Sequence, residues 1–385
     1  MLAILSGDIA GIIVHELVKP YFYRDTYTVS QQKPTREIRI NPIVPSESVL
    51  VASERGLRPR KEEERLPHDD RDYVDTCPFC KGNEDKTPPT IFAVPDEENW
   101  EIRVVQNLFP VLGTESDQSN ISFGLQQVMD GYGHHEVIID HYRHGIEVHE
   151  MSEQHLATLL GLYRRRMDEL YSSDERIRYV LVFKNFGPAA GASIKHTHSQ
   201  LIAMPIIPEN VFGEVENSRA HYHKYHQCIF CSLIDEALTF EATIYNRESG
   251  EVRRKIDVGQ YVVERSERFI AIKPFASRYE WEVHILPLKH QSNFIEATAE
   301  DLADFAGLLK RTMQRLDSVL GGAQYNYYFH SVPRCDRFDD CDASYHWHLE
   351  ICPRTTIPSG FELGSGLFVT TISPEAAAAK LREVL

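Results

Sequence analysis

The sequence predicts an α+β protein made of two tandem modules, each an antiparallel sheet with one long helix, joined into one sheet or half-barrel. Three observations support this prediction. A Cys-x-x-Cys pair occurs twice, a His-x-His pair follows each, and strand and helix patterns repeat in the same order between them. His196 follows Cys80 by 116 residues, and His346 follows Cys231 by 115. A duplicated unit explains this agreement best.

A chain of 385 residues exceeds one usual compact domain, so two modules and a leader are the natural division. We predict an N-terminal extension over 1–35, a first module over 36–212 and a second module over 213–385. The extension resembles neither a targeting signal nor a membrane span, because charged residues interrupt its apolar patches. The charged stretch 58–75 is predicted to be an exposed connection.

The first module begins with strand patterns over 100–105 and 135–140, where β-branched residues alternate with others. A helix is predicted from Ser152, a suitable N-cap, to Tyr171. One face of it is apolar: Leu156, Leu159, Leu160, Tyr163 and Met167. A strand over 179–183, a glycine-rich turn and a second strand with the histidine pair complete the module.

The second module repeats this order. Strand patterns cover 281–286, 325–329 and 345–353. Between the first two, Thr298 and Asp301 form a capping arrangement for a helix that reaches about residue 320. Because most connections between strands are short, we expect the sheet to be antiparallel.

Composition and charge exclude several classes of function. The net charge of −16 disfavours duplex nucleic acid as a partner, since such proteins present a concentrated basic face. The chain has seven cysteines, and four of them form the two Cys-x-x-Cys pairs, a pattern of metal binding in a reducing compartment. We therefore expect a cytoplasmic protein with no nucleic-acid partner and no membrane association.

The two Cys-x-x-Cys pairs and the downstream histidines predict two zinc sites. Zinc prefers four thiolate or imidazole ligands at tetrahedral corners. The first predicted set is Cys77, Cys80, His144 and His196, and the second is Cys228, Cys231, His290 and His346. One isolated pair would be as readily explained by two core cysteines, but repetition of the whole set favours metal. An alternative for the second half is iron bound by Glu214, His330, His346 and His348.

The second histidine of the first pair, His198, is the predicted nucleophile. A neutral imidazole has a free lone pair at cellular pH and can attack phosphorus without a separate base. If a metal holds His196, the loop that positions His198 becomes rigid, which favours covalent catalysis. Gln200 follows two residues later and should lie on the same face of the strand as a neutral donor.

A glycine-rich turn over 185–193 precedes this pair. Its small residues would let backbone N–H groups approach phosphate oxygens closely, and with Gln200 they would stabilise a pentacoordinate phosphoryl group. The second pair has no such turn upstream. We therefore predict that only the first module performs chemistry, and that the second supports the fold, substrate binding or dimer contacts.

As a set, the chain's motifs resemble the galactose-1-phosphate uridylyltransferase family, a branch of the histidine-triad superfamily. The resemblance covers roughly residues 36–385. Its motifs are Arg55-Gly56-Leu57-Arg58-Pro59, Cys77-Pro78-Phe79-Cys80, Arg103 to Pro110 with Asn107, Gly191-Ala192-Ser193, His196-Thr197-His198-Ser199-Gln200, and Phe361-Glu362-Leu363-Gly364.

The resemblance implies a two-step exchange through a covalent nucleotidyl-histidine. The nucleophile takes a nucleoside monophosphate from a nucleotide sugar, releases the sugar 1-phosphate, and passes the nucleotidyl group to another acceptor. It implies His198 as nucleophile, with Ser193 and Gln200 assisting, and homodimers that share sugar contacts. Residues matching substrate contacts in the family are Arg55, Arg58, Asn107, Asn185, Gly191, Ser193, Gln200 and Phe361.

The chain departs from the family pattern in two places. Thr197 and Ser199 stand where the family has proline and glycine, and Ser365 and Gly366 follow Phe361 where an aromatic and an acidic residue contact the hexose. The leading prediction is UMP exchange between UDP-glucose and a hexose 1-phosphate such as galactose 1-phosphate. The alternatives are an ADP-glucose phosphorylase, which uses phosphate as acceptor, a nucleotide-binding relative without transfer activity, and a purely structural zinc protein.

Overall fold

Ten strands form one antiparallel sheet that joins both halves of the chain. The computed structural model describes residues 36–57, 68–115, 120–246, 248–335 and 339–385, so the predicted extension 1–35 and Arg58 lie outside it. The described strands are β1 (Arg36–Ile40), β2 (Ser48–Ala52), β3 (Thr90–Val94), β4 (Ile102–Gln106), β5 (Asn120–Phe123), β6 (Gln126–Met129), β7 (His134–Ile139), β8 (Tyr179–Phe186), β9 (His198–Met204), β10 (Glu241–Tyr245), β11 (Val252–Asp257), β12 (Val262–Arg265), β13 (Phe269–Ile272), β14 (Val283–Pro287), β15 (Tyr325–His330), β16 (His348–Pro353) and β17 (Phe368–Thr370).

The order of strands across the large sheet shows the duplication directly. The order is β12-β13-β14-β16-β15-β8-β9-β7-β4-β3. From the middle outwards, each half contributes a strand, then the histidine-pair strand, then three further strands in the same arrangement. Strands β8 and β15 pair at the junction. The predicted α+β fold of two modules joined into one antiparallel sheet is confirmed.

Two long helices cover one face of this sheet. The described helices are α1 (Glu153–Ser173), α2 (Glu209–Tyr225), α3 (Ile229–Thr239), α4 (Ala299–Leu320), α5 (Cys341–Ser344), α6 (Gly360–Ser365) and α7 (Pro374–Glu383). Helices α1 and α4 pack against each other, and the whole predicted apolar face of α1 is buried in the main core. Ser152 caps α1, and Thr298 with Asp301 forms a capping box on α4, as predicted.

The sequence predicts extended chain over 39–51, and β1 and β2 overlap this stretch, but the arrangement of the smaller elements was not predicted. Strands β1, β2 and β17 form a separate small sheet, and β5–β6 and β10–β11 are hairpins. Helix α2 buries few apolar residues, so its sequence shows little helical periodicity. The predicted module boundary at residue 212 falls inside α2, and the division into two domains stays a prediction. None of the helices that the structure describes is long and apolar enough to cross a membrane.

Candidate active site

His198 is the first residue of β9, next to β7 and near the middle of the large sheet. Its Nδ1–H donates to the carbonyl oxygen of His196 at 2.8 Å, so the lone pair is on Nε2. The ring packs on Phe79, with 5.1 Å between the ring centres, and the residue is 8% exposed. Burial lowers the pKa of His198, which favours the neutral imidazole. The ring therefore has the tautomer and charge state of a nucleophile.

The first predicted metal set comes together beside this ring. Cys77 Sγ lies 3.6 Å from His196 Nδ1, and Cys80 Sγ lies 3.6 Å from the same nitrogen and 3.4 Å from His144 Nδ1. Bonds of about 2.3 Å to sulfur and about 2.05 Å to nitrogen at tetrahedral angles put these atoms about 3.5 Å apart. All four residues are buried. The spacing and the chemistry of this set fit zinc.

The outer nitrogens of both histidines in this set have polar partners, as metal-binding histidines usually do. His196 Nε2 donates to the carbonyl oxygen of His141 at 2.7 Å, and His144 Nε2 lies 3.6 Å from Asp69 Oδ2. Asp69 is buried, so the prediction that 58–75 is an exposed connection is wrong at this residue. Its carboxylate contacts Arg71, Lys195 and His144, and these partners offset the cost of burying its charge.

The second predicted metal set also comes together. Cys231 Sγ lies 3.4 Å from His290 Nδ1 and 3.5 Å from His346 Nδ1, and Cys228 completes the cluster. His346 Nε2 donates to the carbonyl oxygen of Pro287 at 2.9 Å, as His196 does to His141 in the first half. This cluster fits zinc by the same test.

The alternative iron set of Glu214, His330, His346 and His348 is not the one that the structure assembles. His346 turns toward Cys231, and Glu350 takes its place beside Glu214, His330 and His348. The side chains in this group also bond each other, since His330 Nδ1 lies 3.0 Å from Glu214 Oε1 and His348 Nε2 lies 3.4 Å from Glu350 Oε1. His348 of the second half corresponds to His198 of the first. Its Nε2 faces the carboxylate of Glu350.

This buried ion pair predicts a pH-dependent stability. Burial opposes a charged His330, but Glu214 and Glu350 outweigh it and raise its pKa to about 9 from about 6.5. The stabilisation is then complete below pH 6.5 and is lost as the pH rises through 9, amounting to about 3 kcal/mol at most. Urea unfolding of the wild type should show this decline. His330→Gln should flatten it, and an unchanged slope in that variant would contradict the assignment.

The glycine-rich turn lies between β8 and β9, beside His198, the predicted nucleophile. Gly187 and Gly191 both have positive φ, at 84°, which residues with a Cβ rarely adopt. Ser193 is exposed at the end of the turn. Asn185, on β8, accepts a hydrogen bond from Asn326 Nδ2 at 2.8 Å, and Asn326 also donates to the turn at Ala190. Strand β15, which carries Asn326, therefore supports the turn that is predicted to bind phosphate.

Gln200 belongs to a hydrogen-bonded chain that includes His135, a residue that the sequence analysis did not assign to the site. The backbone N–H of Val111 donates to His135 Nδ1 at 3.2 Å, so His135 Nε2–H donates to Gln200 Oε1 at 2.9 Å. The amide nitrogen of Gln200 is thereby oriented as a donor. The Asn107 side chain packs beside this ring, and its Oδ1 accepts from the backbone N–H of Phe109 at 2.8 Å. His135 shows no motif of its own, and only its position on the strand next to β9 reveals its role.

Two predicted substrate contacts lie elsewhere. Arg55 follows β2 in a short 3-10 turn and Phe361 is on α6, so both flank the small sheet rather than β9. Both side chains are exposed, and Arg58 is outside the described residues. The structure does not place these residues on the strands that carry His198.

A cavity of about 310 Å³ opens at the junction of the two halves. Its residues lie mainly on the face of the sheet that carries Gln200 and Asn185, although His198 does not line it. The lining residues are Leu181, Phe183, Asn185, Ile202, Tyr279, Asn326, Tyr327, Tyr328, Cys352 and Arg354. This volume matches a small-molecule pocket.

The chain is similar to known nucleotidyltransferases in sequence. The family model described as galactose-1-phosphate uridyl transferase, N-terminal domain, matches residues 25–208. An ADP-glucose phosphorylase of Arabidopsis thaliana is 30% identical over 94% of this chain and 95% of its own length. A galactose-1-phosphate uridylyltransferase of Thermotoga maritima is 26% identical over 90% of this chain and 98% of its own.

Solved structures show the same similarity. The crystal structure of an ADP-glucose phosphorylase from Arabidopsis thaliana with bound ADP-glucose has a TM-score of 0.75 and 27% identity. The match covers 91% of this chain and 99% of that one. A uridylyltransferase mutant has a TM-score of 0.65 and 25% identity, covering 80% of this chain and 93% of that one.

Proposed function

Because this chain belongs to the nucleotidyltransferase family of galactose-1-phosphate uridylyltransferases and ADP-glucose phosphorylases, we propose that it transfers a nucleoside monophosphate through a covalent bond to His198. The observation that supports this most is the hydrogen bond from His198 Nδ1 to the His196 carbonyl. It leaves the Nε2 lone pair for attack on phosphorus.

The first step forms one bond and breaks one. His198 Nε2 bonds to the α-phosphorus of a nucleotide sugar, and the bond from that phosphorus to the sugar 1-phosphate oxygen breaks. The sugar 1-phosphate leaves with the electron pair, and the imidazole gains positive charge. The His196 carbonyl, which accepts from Nδ1–H, stabilises that charge. An acceptor phosphate oxygen then attacks the phosphorus and releases His198.

The surrounding residues have supporting roles in this proposal. The amide nitrogen of Gln200, the hydroxyl of Ser193 and the backbone at Gly191 bind phosphate oxygens, and Asn185 holds the turn and contacts the substrate. Zinc bound by Cys77, Cys80, His144 and His196 would be structural and would hold His196, whose carbonyl orients the nucleophile. A second structural zinc would bind Cys228, Cys231, His290 and His346.

We infer that the nucleotide sugar is ADP-glucose and the acceptor is phosphate. This differs from the leading prediction from sequence, and it is supported by the higher identity and TM-score of the Arabidopsis phosphorylase. UMP exchange between UDP-glucose and a hexose 1-phosphate is the second candidate, supported by the Thermotoga maritima relative.

We also propose a homodimer and a cytoplasmic location. The exposed apolar residues Leu108, Phe109 and Leu125 favour a dimer, since a second subunit would cover them. Arg55 and Phe361 are exposed and lie away from β9, which suits contacts with the substrate of a partner subunit. Phosphorylated sugars and nucleotide sugars are the small-molecule partners in this proposal.

Intact mass spectrometry tests the function and the base together. The protein is mixed separately with ADP-glucose and UDP-glucose, and we expect a mass increase of one adenylyl group with the first. Added phosphate should remove the adduct and yield ADP. A stable uridylyl adduct from UDP-glucose alone would establish the second candidate, and absence of any adduct would refute the proposed mechanism.

A further inference from the structure

A buried ion pair lies directly behind the nucleophile, on the helix side of the sheet. Lys184 on β8 and Asp140 at the end of β7 are both fully buried, and Lys184 Nζ lies 2.6 Å from Asp140 Oδ2. Isolated charges are costly to bury, so such a pair is kept only where its hydrogen bonds are satisfied.

The lysine ties the backbone of His198 to this pair. Besides Asp140, Nζ donates to the carbonyl oxygen of His198 at 3.0 Å and to Thr197 Oγ1 at 2.7 Å. These contacts use all three N–H donors of the ammonium group. The chain is therefore held on both sides of the His198 ring, because the Thr197 hydroxyl and the His198 carbonyl both accept hydrogen bonds from one buried ammonium group.

Ser199 completes the network from the other side. Its hydroxyl donates to Asp140 Oδ2 at 3.0 Å and lies 2.5 Å from the Tyr163 hydroxyl. Thr197 and Ser199 stand where the family motif has proline and glycine, and neither of those residues has a hydroxyl. The departure from the motif and the buried ion pair are thus parts of one arrangement.

The second half of the sheet provides an internal comparison. Gln200 pairs with Phe183 as Glu350 pairs with Tyr328, and Ser199 pairs with Ile138 as Leu349 pairs with Ile285. By this register Phe329 corresponds to Lys184 and Pro287 corresponds to Asp140. Trp347 and Leu349 correspond to Thr197 and Ser199. All four counterparts are apolar and buried in the described sheet. The fold therefore packs this region without charge, and only the half with the predicted nucleophile contains the network.

We propose that Lys184, held by Asp140, is a positioning residue that orients His198 for attack through Thr197 and the His198 carbonyl. The inference rests on the proposed function and extends it to the residues behind the strand. A buried ion pair stabilises a fold little compared with apolar packing, so stability alone does not explain its presence in this half. Orientation of the nucleophile does explain it.

The test separates binding from the covalent step. Single-turnover adduct formation is measured at several ADP-glucose concentrations, giving the apparent Kd and the limiting rate. Thr197→Val keeps the side-chain shape and removes the hydroxyl, and Lys184→Met combined with Asp140→Leu removes both charges together. We expect each to leave Kd within about twofold and to lower the limiting rate about 10- to 100-fold. Thr197→Ser, which keeps the hydroxyl, should retain a rate near that of the wild type.

Thr312→Val is the matched control. Thr312 is buried on α4, and its hydroxyl has no hydrogen-bond partner among the described residues. The limiting rate of adduct formation in this variant should therefore equal that of the wild type. If the double variant does not fold, Thr197→Val and Ser199→Ala decide the result. Wild-type rates in folded variants would overturn this inference alone. Absence of an adduct in the wild-type protein would overturn the proposed function and the inference with it.

Discussion

Replacing His198 with asparagine is expected to lower the turnover number by at least about 10⁴-fold, because no group remains to form the covalent bond. Asparagine retains a side-chain N–H near the His196 carbonyl, so the local fold should persist. Its amide nitrogen is not nucleophilic. Mass spectrometry of H198N with nucleotide sugar should detect no adduct, and thermal unfolding should show that the variant is folded.

His348 provides the matched control for this substitution. It begins β16 as His198 begins β9, and it makes the same hydrogen bond, from Nδ1 to the His346 carbonyl at 3.1 Å. Its Nε2 faces Glu350, so we expect His348→Asn to form the adduct at any temperature at which it is folded. An adduct in H198N would exclude His198 as the nucleophile. Loss of the adduct in folded H348N would show that the second half takes part in the chemistry.

The second large effect is expected at the first metal site. Cys80→Ser removes the thiolate that contacts both His144 and His196, and serine binds zinc poorly. The variant should lose one of two zinc ions and fall in activity by more than about 100-fold, because His196 and Phe79 then no longer support His198. Metal analysis by plasma mass spectrometry and the adduct rate measure these two results.

Two further cysteine variants make this prediction specific. Cys231→Ser should also lose one zinc, but it should keep an adduct rate within about tenfold of the wild type, because its cluster supports His346 rather than His196. Cys335→Ser belongs to neither predicted set and should keep both ions. Equal loss of activity in C80S and C231S would contradict the separation of the two halves.

The sequence predicted the fold and its duplication well because both depend on local patterns. The helix caps at Ser152 and Thr298 satisfy backbone donors within the first turn, so short-range residue types determine them. The apolar stripe on α1 has a period that a sequence shows directly. Strand β17, the hairpins and α2 were missed because their patterns are short or weakly amphipathic.

Candidate ligands were predictable where chemistry restricts residue type, and other site residues were not. Cysteine and histidine at repeated spacing predict both clusters of four candidate metal ligands, and the structure brings each cluster together. His135 and Lys184 carry no motif, and they became recognisable only once strand pairing placed them beside Gln200 and His198. Glu350 likewise replaced His346 in the group around Glu214, because the direction of a side chain near the start of a strand depends on its packing.

The sequence by itself determined the two-module fold, the paired histidines and the thiolate sets, since these follow from spacing, periodicity and ligand chemistry within each segment. Only the tertiary structure decided which of the two equivalent histidines has a free Nε2. His348 meets a carboxylate from its own strand, whereas His198 is backed by a buried lysine from the neighbouring strand. Glu350 stands on the same strand as His348, but the contacts of Lys184 and Asp140 with the His198 segment depend on how β8, β9 and β7 pair, which no single segment of the sequence specifies.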